Sequence, residues 1–146
     1  MLFRSPNFKP AEKVDNTEKI NKIVNATNEE FYKSQKSASE QLVLNTSKQE
    51  TVLNWGLQSD RKTIAVMFWD YTNVDLREKI TTITCPALIL LNPYFKFSKP
   101  SIEAQYKNLK NANLQYAEKG SHFIMYDDTD WYDNQLRTFI SKELTQ

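Results

Sequence analysis

Few residues of this chain are of types that carry out chemistry, and their spacing excludes most known sites. With one histidine, His122, and one cysteine, Cys85, neither a multi-histidine zinc site nor a cysteine-rich metal site can form. Gly56 and Gly120 are the only glycines, so dinucleotide-binding, Walker and G-x-S-x-G motifs are all absent. A lone histidine is ordinarily a structural residue, so His122 by its type alone indicates no activity.

Four aspartates near the C-terminus have the number, but not the spacing, of a metal site: Asp127, Asp128, Asp130 and Asp133. Their spacing fits neither an EF-hand nor a paired-ligand motif, whereas an acidic first turn stabilises a helix N-terminus. We therefore expect them to be structural, with no metal and no cofactor. Cys85, next to Pro86 at the start of an apolar run, is expected to be a small buried residue.

Composition and charge restrict the class of partner. A chain of 146 residues fits one structural unit with a real core. Nineteen basic against eighteen acidic residues leave a net charge of +1, which predicts neither a nucleic-acid nor a membrane partner. The longest apolar run, 87–91, is too short to span a bilayer, and no signal peptide is visible, so a cytoplasmic location is the default expectation.

The pattern of apolar and polar residues changes near residue 84, and the half before it has the pattern of helices. Ile20, Ile23, Val24, Thr27 and Phe31 recur at the spacing of one helix face. Three further helices are predicted, at about 37–45, 48–55 and 59–71. Gly56 is expected to end the second of these, and a helical turn is expected at 75–80.

The second half, 85–146, has the pattern of a βαβ unit followed by a helix. The continuous apolar run 86–91 predicts a strand covered on both faces, as in a parallel sheet under helices. A helix at about 100–109 and a short strand at 114–117 follow it. After the loop that contains His122, Asp128 or Thr129 begins a final helix. The predicted fold class is therefore α/β.

In order and spacing these features resemble the C-terminal part of an α/β-hydrolase. The resemblance covers about 74–140 and rests on Asp75-Leu76-Arg77, the strand begun by Pro86, the sequence Gly120-Ser121-His122-Phe123 and a closing helix that contains Phe139. It identifies residues 1–84 as a helical cap-like region and His122 as the family's catalytic histidine. It implies a serine hydrolase that acts on an ester, amide or other small acyl substrate.

Only part of the family's catalytic triad matches this sequence. No serine matches the nucleophile, which the family places upstream of the cap. The acid often follows the penultimate strand, but 92–96 contains no carboxylate, and some members carry it one strand earlier. Asp75 is a weak candidate for the acid and a better one for a capping residue. Trp69, Phe95 and Phe123 are candidates to line an acyl pocket, although aromatic residues at helical spacing are more often core.

These observations predict a fragment of a hydrolase that is inactive as an isolated chain. A strand at 86–91 without one of its neighbours would present an unpaired edge, so self-association is expected. The alternative is a non-catalytic helical binding or interaction module that kept hydrolase-like packing without the site. A small acyl substrate is expected only if the missing half is supplied.

Overall fold

A computed structural model describes residues 13–70 and 73–144 of the chain, which are mostly helical with one small parallel sheet. Tyr71, inside the predicted helix 59–71, lies outside the described residues. The helices and strands, in chain order, are α1 Thr17–Val24, α2 Asn28–Leu42, α3 Thr46–Gln58, α4 Arg61–Asp70, β1 Ala87–Leu91, α5 Lys99–Tyr106, β2 Ala112–Tyr116, α6 Ile124–Asp127 and α7 Thr129–Leu144. Short 3-10 helices cover Lys79–Thr82 and Pro93–Ser98.

The single helix face predicted from Ile20 to Phe31 is wrong, because the chain breaks between α1 and α2. Thr27 begins the new helix with a capping box. Its hydroxyl accepts a bond from the Glu30 amide (3.2 Å), and the Glu30 carboxylate accepts one from the Thr27 amide (2.8 Å). Two orphan backbone donors are satisfied in this way, so a fresh helix start replaces the continuation that the apolar spacing predicted.

Arg61, at the start of α4, ties that helix to the turn between α1 and α2. Its guanidinium donates to the carbonyl of Ala26 (2.8 Å) and to the Asn28 side chain (2.6 Å). It also lies 4.3 Å from the centre of the Phe31 ring, whose side chain is buried. Arg61 thereby joins α4 to the turn between α1 and α2 by hydrogen bonds and a cation–π contact.

Gly56 does not end a helix, contrary to the sequence prediction, because α3 continues to Gln58. A Cβ built at this position would lie 2.3 Å from the side-chain oxygen of Gln35 on α2. The missing side chain thus leaves space for Gln35 where α2 and α3 pack together. The glycine serves packing between two helices rather than a turn.

The parallel pairing of β1 and β2 confirms the predicted βαβ order. Their register runs from Ala87 opposite Ala112 to Leu91 opposite Tyr116, and no further strand pairs with them among the described residues. One face of the sheet and α5 enclose the core, whose buried members are Ile80, Leu91, Ile102, Tyr106 and Leu109. In β1 itself only Leu91 is buried and the other four residues are partly exposed, so the strand is less covered than its apolar run predicted.

Cys85 is exposed, which corrects the expectation that it is buried. It lies in the loop that precedes β1, and the ladder of hydrogen bonds to β2 begins only at Ala87. The apolar character of the following residues therefore does not extend to Cys85. In the described part of the chain, no helix is long and apolar enough to cross a membrane.

The carboxylate of Asp127, in α6, connects the helical half to the loop before α6. One oxygen accepts the amides of Leu44 (2.9 Å) and Asn45 (2.8 Å), in the turn between α2 and α3. The other oxygen accepts the amide of Ser121 (2.7 Å). A single charged side chain thus satisfies three backbone donors, two of which lie 83 and 82 positions away from it in sequence. Charge-assisted bonds of this kind are the stronger ones.

Replacing Asp127 by alanine is expected to lower the free energy of unfolding by about 1–3 kcal/mol, because three amides lose their acceptor. Urea unfolding followed by circular dichroism measures the change. The exposed Asp133 of α7 is the matched control, and its alanine variant is expected to stay within about 0.5 kcal/mol of the parent. Equal losses in the two variants would contradict the connecting role of Asp127.

Candidate active site

The loop that contains His122 depends on a glycine at its start. Gly120 has a backbone φ of +99°, a conformation that side chains with a Cβ rarely adopt. A Cβ there would also lie 3.0 Å from the Cβ of Asp127. Gly120 therefore lets the chain turn against Asp127, which then accepts the next amide, that of Ser121. This places His122 immediately after an anchored residue.

His122 borders a cavity of about 720 Å³ beside the sheet. Most of its lining is apolar and comes from β1, α5 and α7; the residues are Leu88, Ile89, Leu90, Leu91, Asn92, Phe95, Ile102, Gln105, Tyr106, His122, Ile124, Met125, Tyr132, Leu136, Phe139 and Ile140. Asn92 directly follows β1, and His122 lies in the loop after β2. Both therefore lie beyond the carboxyl ends of parallel strands, the edge at which such sheets bind ligands.

Asn92 brings a polar group into this apolar surrounding. Its side-chain oxygen is buried and has no hydrogen-bond partner among the described residues. A buried carbonyl oxygen without a donor carries a desolvation cost, so it is an acceptor available to an incoming N–H or O–H group. Asn92 and His122 are thus two polar groups with hydrogen-bonding capacity at one end of the cavity.

The imidazole of His122 is suited to act as a base at neutral pH. Its ring meets the Phe123 ring edge to face, with 5.2 Å between ring centres. The side chain is exposed overall, but the protein around the ring displaces enough water to lower the pKa of His122 from 6.5. Desolvation disfavours the imidazolium, so the neutral form that accepts a proton predominates at pH 7.

Among the described residues, those that line the cavity include neither of the other two members of a serine–histidine–acid triad. Its lining includes no serine, threonine, cysteine or carboxylate. Ser121, the neighbour of His122, instead donates its hydroxyl to the carbonyl of Gln41. The described residues also bring together no group of three potential metal ligands. The described residues therefore supply His122 as a candidate proton acceptor, without a serine nucleophile next to it.

The other residues singled out from the sequence lie in different places. Phe95 lines the cavity. Phe123 packs against Trp55 of α3 and Tyr126, with 6.1 Å between ring centres in both pairs, and Trp69 lies on α4 under the Lys19 ammonium group (4.5 Å). Neither Phe123 nor Trp69 lines the cavity.

Asp75 also lies outside the cavity lining. Its carboxylate accepts the Arg77 amide (3.1 Å) and pairs with the Arg77 guanidinium. The hydrogen bond to the carboxylate stabilises the protonated guanidinium and so raises the pKa of Arg77. The contact is the local turn and cap interaction that an aspartate at this position favours.

Two residues of the site were missed from the sequence. Asn92 had a usable signal, because it directly follows an apolar strand and so lies at the ligand-binding edge of the sheet. Asp127 was grouped with the helix-capping aspartates. Its contacts with Leu44 and Asn45 depend on the packing of distant segments, so no local pattern marks them.

Comparison with known proteins supports a hydrolase-like relationship. Over 68 residues this chain is 29% identical to the proline iminopeptidase of Saccharolobus solfataricus, which is consistent with an α/β-hydrolase-like relationship. The matched segment covers 47% of this chain and 22% of the iminopeptidase, so the chain spans about a fifth of that relative's length. No family model and no solved structure matches the chain.

Because His122 is the only histidine, its ring protons give an isolated signal in a proton NMR titration. We expect a midpoint below 6.5, and below the value for the same chain in urea. A pKa that is lower in the folded state means that the unfolded chain binds more protons. Stability contributed by His122 is therefore present above pH 6.5 and lost as the pH falls through the folded-state pKa. A midpoint at or above the urea value would contradict the desolvation of the ring.

Proposed function

We propose that this chain is the C-terminal portion of a serine hydrolase of the α/β-hydrolase fold, in which His122 is the general base. The observation that carries the proposal is the position of His122 beyond the carboxyl ends of two parallel strands, at the border of a largely apolar cavity. The partial similarity to a proline iminopeptidase supports it. Residues 1–84, which the structure describes over 13–70 and 73–84, would then be the helical cap-like region.

In this proposal the nucleophilic serine comes from a polypeptide region outside residues 1–146. Neutral His122 takes the proton of the serine hydroxyl while the serine oxygen forms a bond to the acyl carbon of the substrate. His122 then returns that proton to the departing alcohol or amine, and water releases the acyl group in a second cycle. The lowered pKa of His122 keeps it ready to accept the proton at pH 7.

The cavity fits a small acyl substrate. Its lining is apolar along β1 and α7, and polar only near Asn92, Gln105, His122 and the hydroxyls of Tyr106 and Tyr132. An apolar acyl or side-chain group would be buried in it while the bond to be cleaved stays at the His122 end. Esters and amides are both in the proposed range, and the match to an iminopeptidase favours amides of N-terminal residues.

The coding region upstream of the Met1 codon provides the first test. We expect it to encode, in one of the reading frames, an apolar strand followed by G-x-S-x-G. That polypeptide is then produced together with the full chain and assayed with p-nitrophenyl acetate and proline p-nitroanilide. His122→Gln is expected to lower kcat/KM by about a hundredfold to ten-thousandfold, as loss of a general base does. The exposed Asp130→Asn of α7 is the matched control and is expected to leave it unchanged.

The isolated chain gives a second, independent readout. A serine-reactive fluorophosphonate is expected to leave it unlabelled. Labelling of any serine within 1–146 would refute a nucleophile supplied from outside. If no elbow is encoded upstream and neither substrate is cleaved, the proposal falls and the non-catalytic helical binding module takes its place.

A further inference from the structure

Three aromatic side chains next to His122 pack against one another and form an aromatic cluster. They are Phe123, Tyr126 and Trp55 of α3. The Phe123 ring is stacked on the Tyr126 ring, with 6.1 Å between ring centres and 25° between ring planes. The Trp55 ring is tilted against both of them, at 6.1 Å from Phe123 and 6.3 Å from Tyr126. The helical half of the chain therefore contributes one ring to the surroundings of the candidate base.

His122 contacts the aromatic cluster through Phe123. The planes of the two rings are 89° apart, with 5.2 Å between ring centres. Aromatic rings are stabilised edge to face because the positive edge of one ring meets the negative face of the other. The plane of the Phe123 ring therefore influences the direction of the imidazole. The described residues that line the cavity include no carboxylate that could orient the imidazole instead.

Trp55 is the member of the cluster that fixes Phe123 from outside its own segment. His122, Phe123 and Tyr126 all lie within 122–126, so their contacts are local and move together with that segment. Local contacts alone leave the Phe123 side chain a choice of rotamers. The indole of Trp55 occupies the space on the α3 side, and so excludes the rotamers that would turn the Phe123 ring towards α3.

Helix α3 holds Trp55 in a defined orientation. Lys48, Val52 and Trp55 recur at the spacing of one helix face, and Val52 is buried. The Lys48 ammonium group lies 5.6 Å from the centre of the Tyr126 ring, so this face of α3 meets the segment at two points. Gly56, the residue after Trp55, packs closely against α2. The rotation of α3 about its own axis is therefore restricted from both sides.

From these contacts we propose that Trp55 is a positioning residue for the general base. It holds the Phe123 ring in the plane against which the imidazole of His122 rests, and thereby keeps the imidazole at the border of the cavity. The role rests on the proposed function, because it affects catalysis only if His122 is the base. Trp55 is 47% exposed, so it is not a buried core residue, and it acts on His122 through Phe123.

Proton NMR of the full chain tests the positioning without any catalysis. Because His122 is the only histidine, its ring protons are readily assigned, and the Phe123 ring displaces their signals from the positions in urea. Trp55→Leu is expected to reduce this displacement by about half or more, because the Phe123 ring then adopts several rotamers. Trp55→Phe keeps an aromatic ring and is expected to retain most of the displacement.

Phe68→Leu is the matched control. Phe68 is 50% exposed, close to the 47% of Trp55, and its ring contacts Trp69 on α4 rather than the aromatic cluster. Its replacement is expected to leave the His122 signals unchanged. Equal changes in Phe68→Leu and Trp55→Leu would overturn the positioning role. Trp55→Met takes the place of Trp55→Leu if circular dichroism shows that the leucine variant is unfolded.

A double-mutant cycle tests the route through Phe123. Phe123→Leu alone is expected to remove most of the displacement of the His122 signals. Adding Trp55→Leu to that variant is expected to change the signals no further, because the ring that connects the two residues is already gone. A further change on adding Trp55→Leu would overturn the proposed route.

The complex with the upstream polypeptide gives the catalytic readout. Trp55→Leu is expected to lower kcat by about tenfold or more with KM changed less than about twofold, because a misplaced base slows the chemistry without weakening binding. Trp55→Phe is expected to recover most of kcat. An active complex in which Trp55→Leu keeps the full kcat overturns the positioning role and leaves the hydrolase standing. The expected NMR changes in a chain whose complex cleaves neither substrate support the positioning of the ring and count against the hydrolase.

Discussion

The structure depends on a carboxylate that gathers backbone donors from both halves of the chain. Asp127 accepts amides from the turn between α2 and α3 and from the residue that precedes His122. Alongside it, the Phe123 amide donates to the carbonyl of Leu42 (3.1 Å), and the Asn45 side chain donates to the carbonyl of Tyr126 (3.1 Å). The position of the candidate base is therefore set by the helical half as much as by the strand that leads to it.

The site combines an apolar wall with a few polar groups at one end. Asn92 offers a side-chain oxygen to which no described residue donates, and His122 offers a neutral nitrogen because its surroundings disfavour the charged form. Both lie where parallel strands end, which is the place that an α/β sheet gives to chemistry.

The sequence predicted those helices and strands that are determined by the pattern of neighbouring residues. The unbroken run 86–91 marked β1, and the apolar spacing before it marked a helical half, because burial of one face determines both patterns. The break at Thr27 was missed because a capping box there outweighed the apolar spacing. The prediction that Gly56 ends a helix was wrong, because a glycine is needed there to leave space for Gln35 on another helix. His122 was identified as a candidate catalytic residue from its local sequence. The contacts of Asp127 were not predicted, because they depend on segments about eighty residues away.

The ends of the helical half meet at one point. Val14 donates its amide to the Asn73 side chain (2.8 Å), and the Asn73 amide group donates back to the carbonyl of Val14 (2.9 Å), across a separation of 59 positions. Because its two ends are tied together, the helical half is closed on itself, and it meets the loop that carries His122 at the end of α2 and the turn that follows. There Gln41 and Leu42 accept bonds from Ser121 and Phe123, and Leu44 and Asn45 donate to Asp127. A change in the length or tilt of α2 would thus be transmitted directly to the histidine loop, so any variation of the helical half has to preserve this junction.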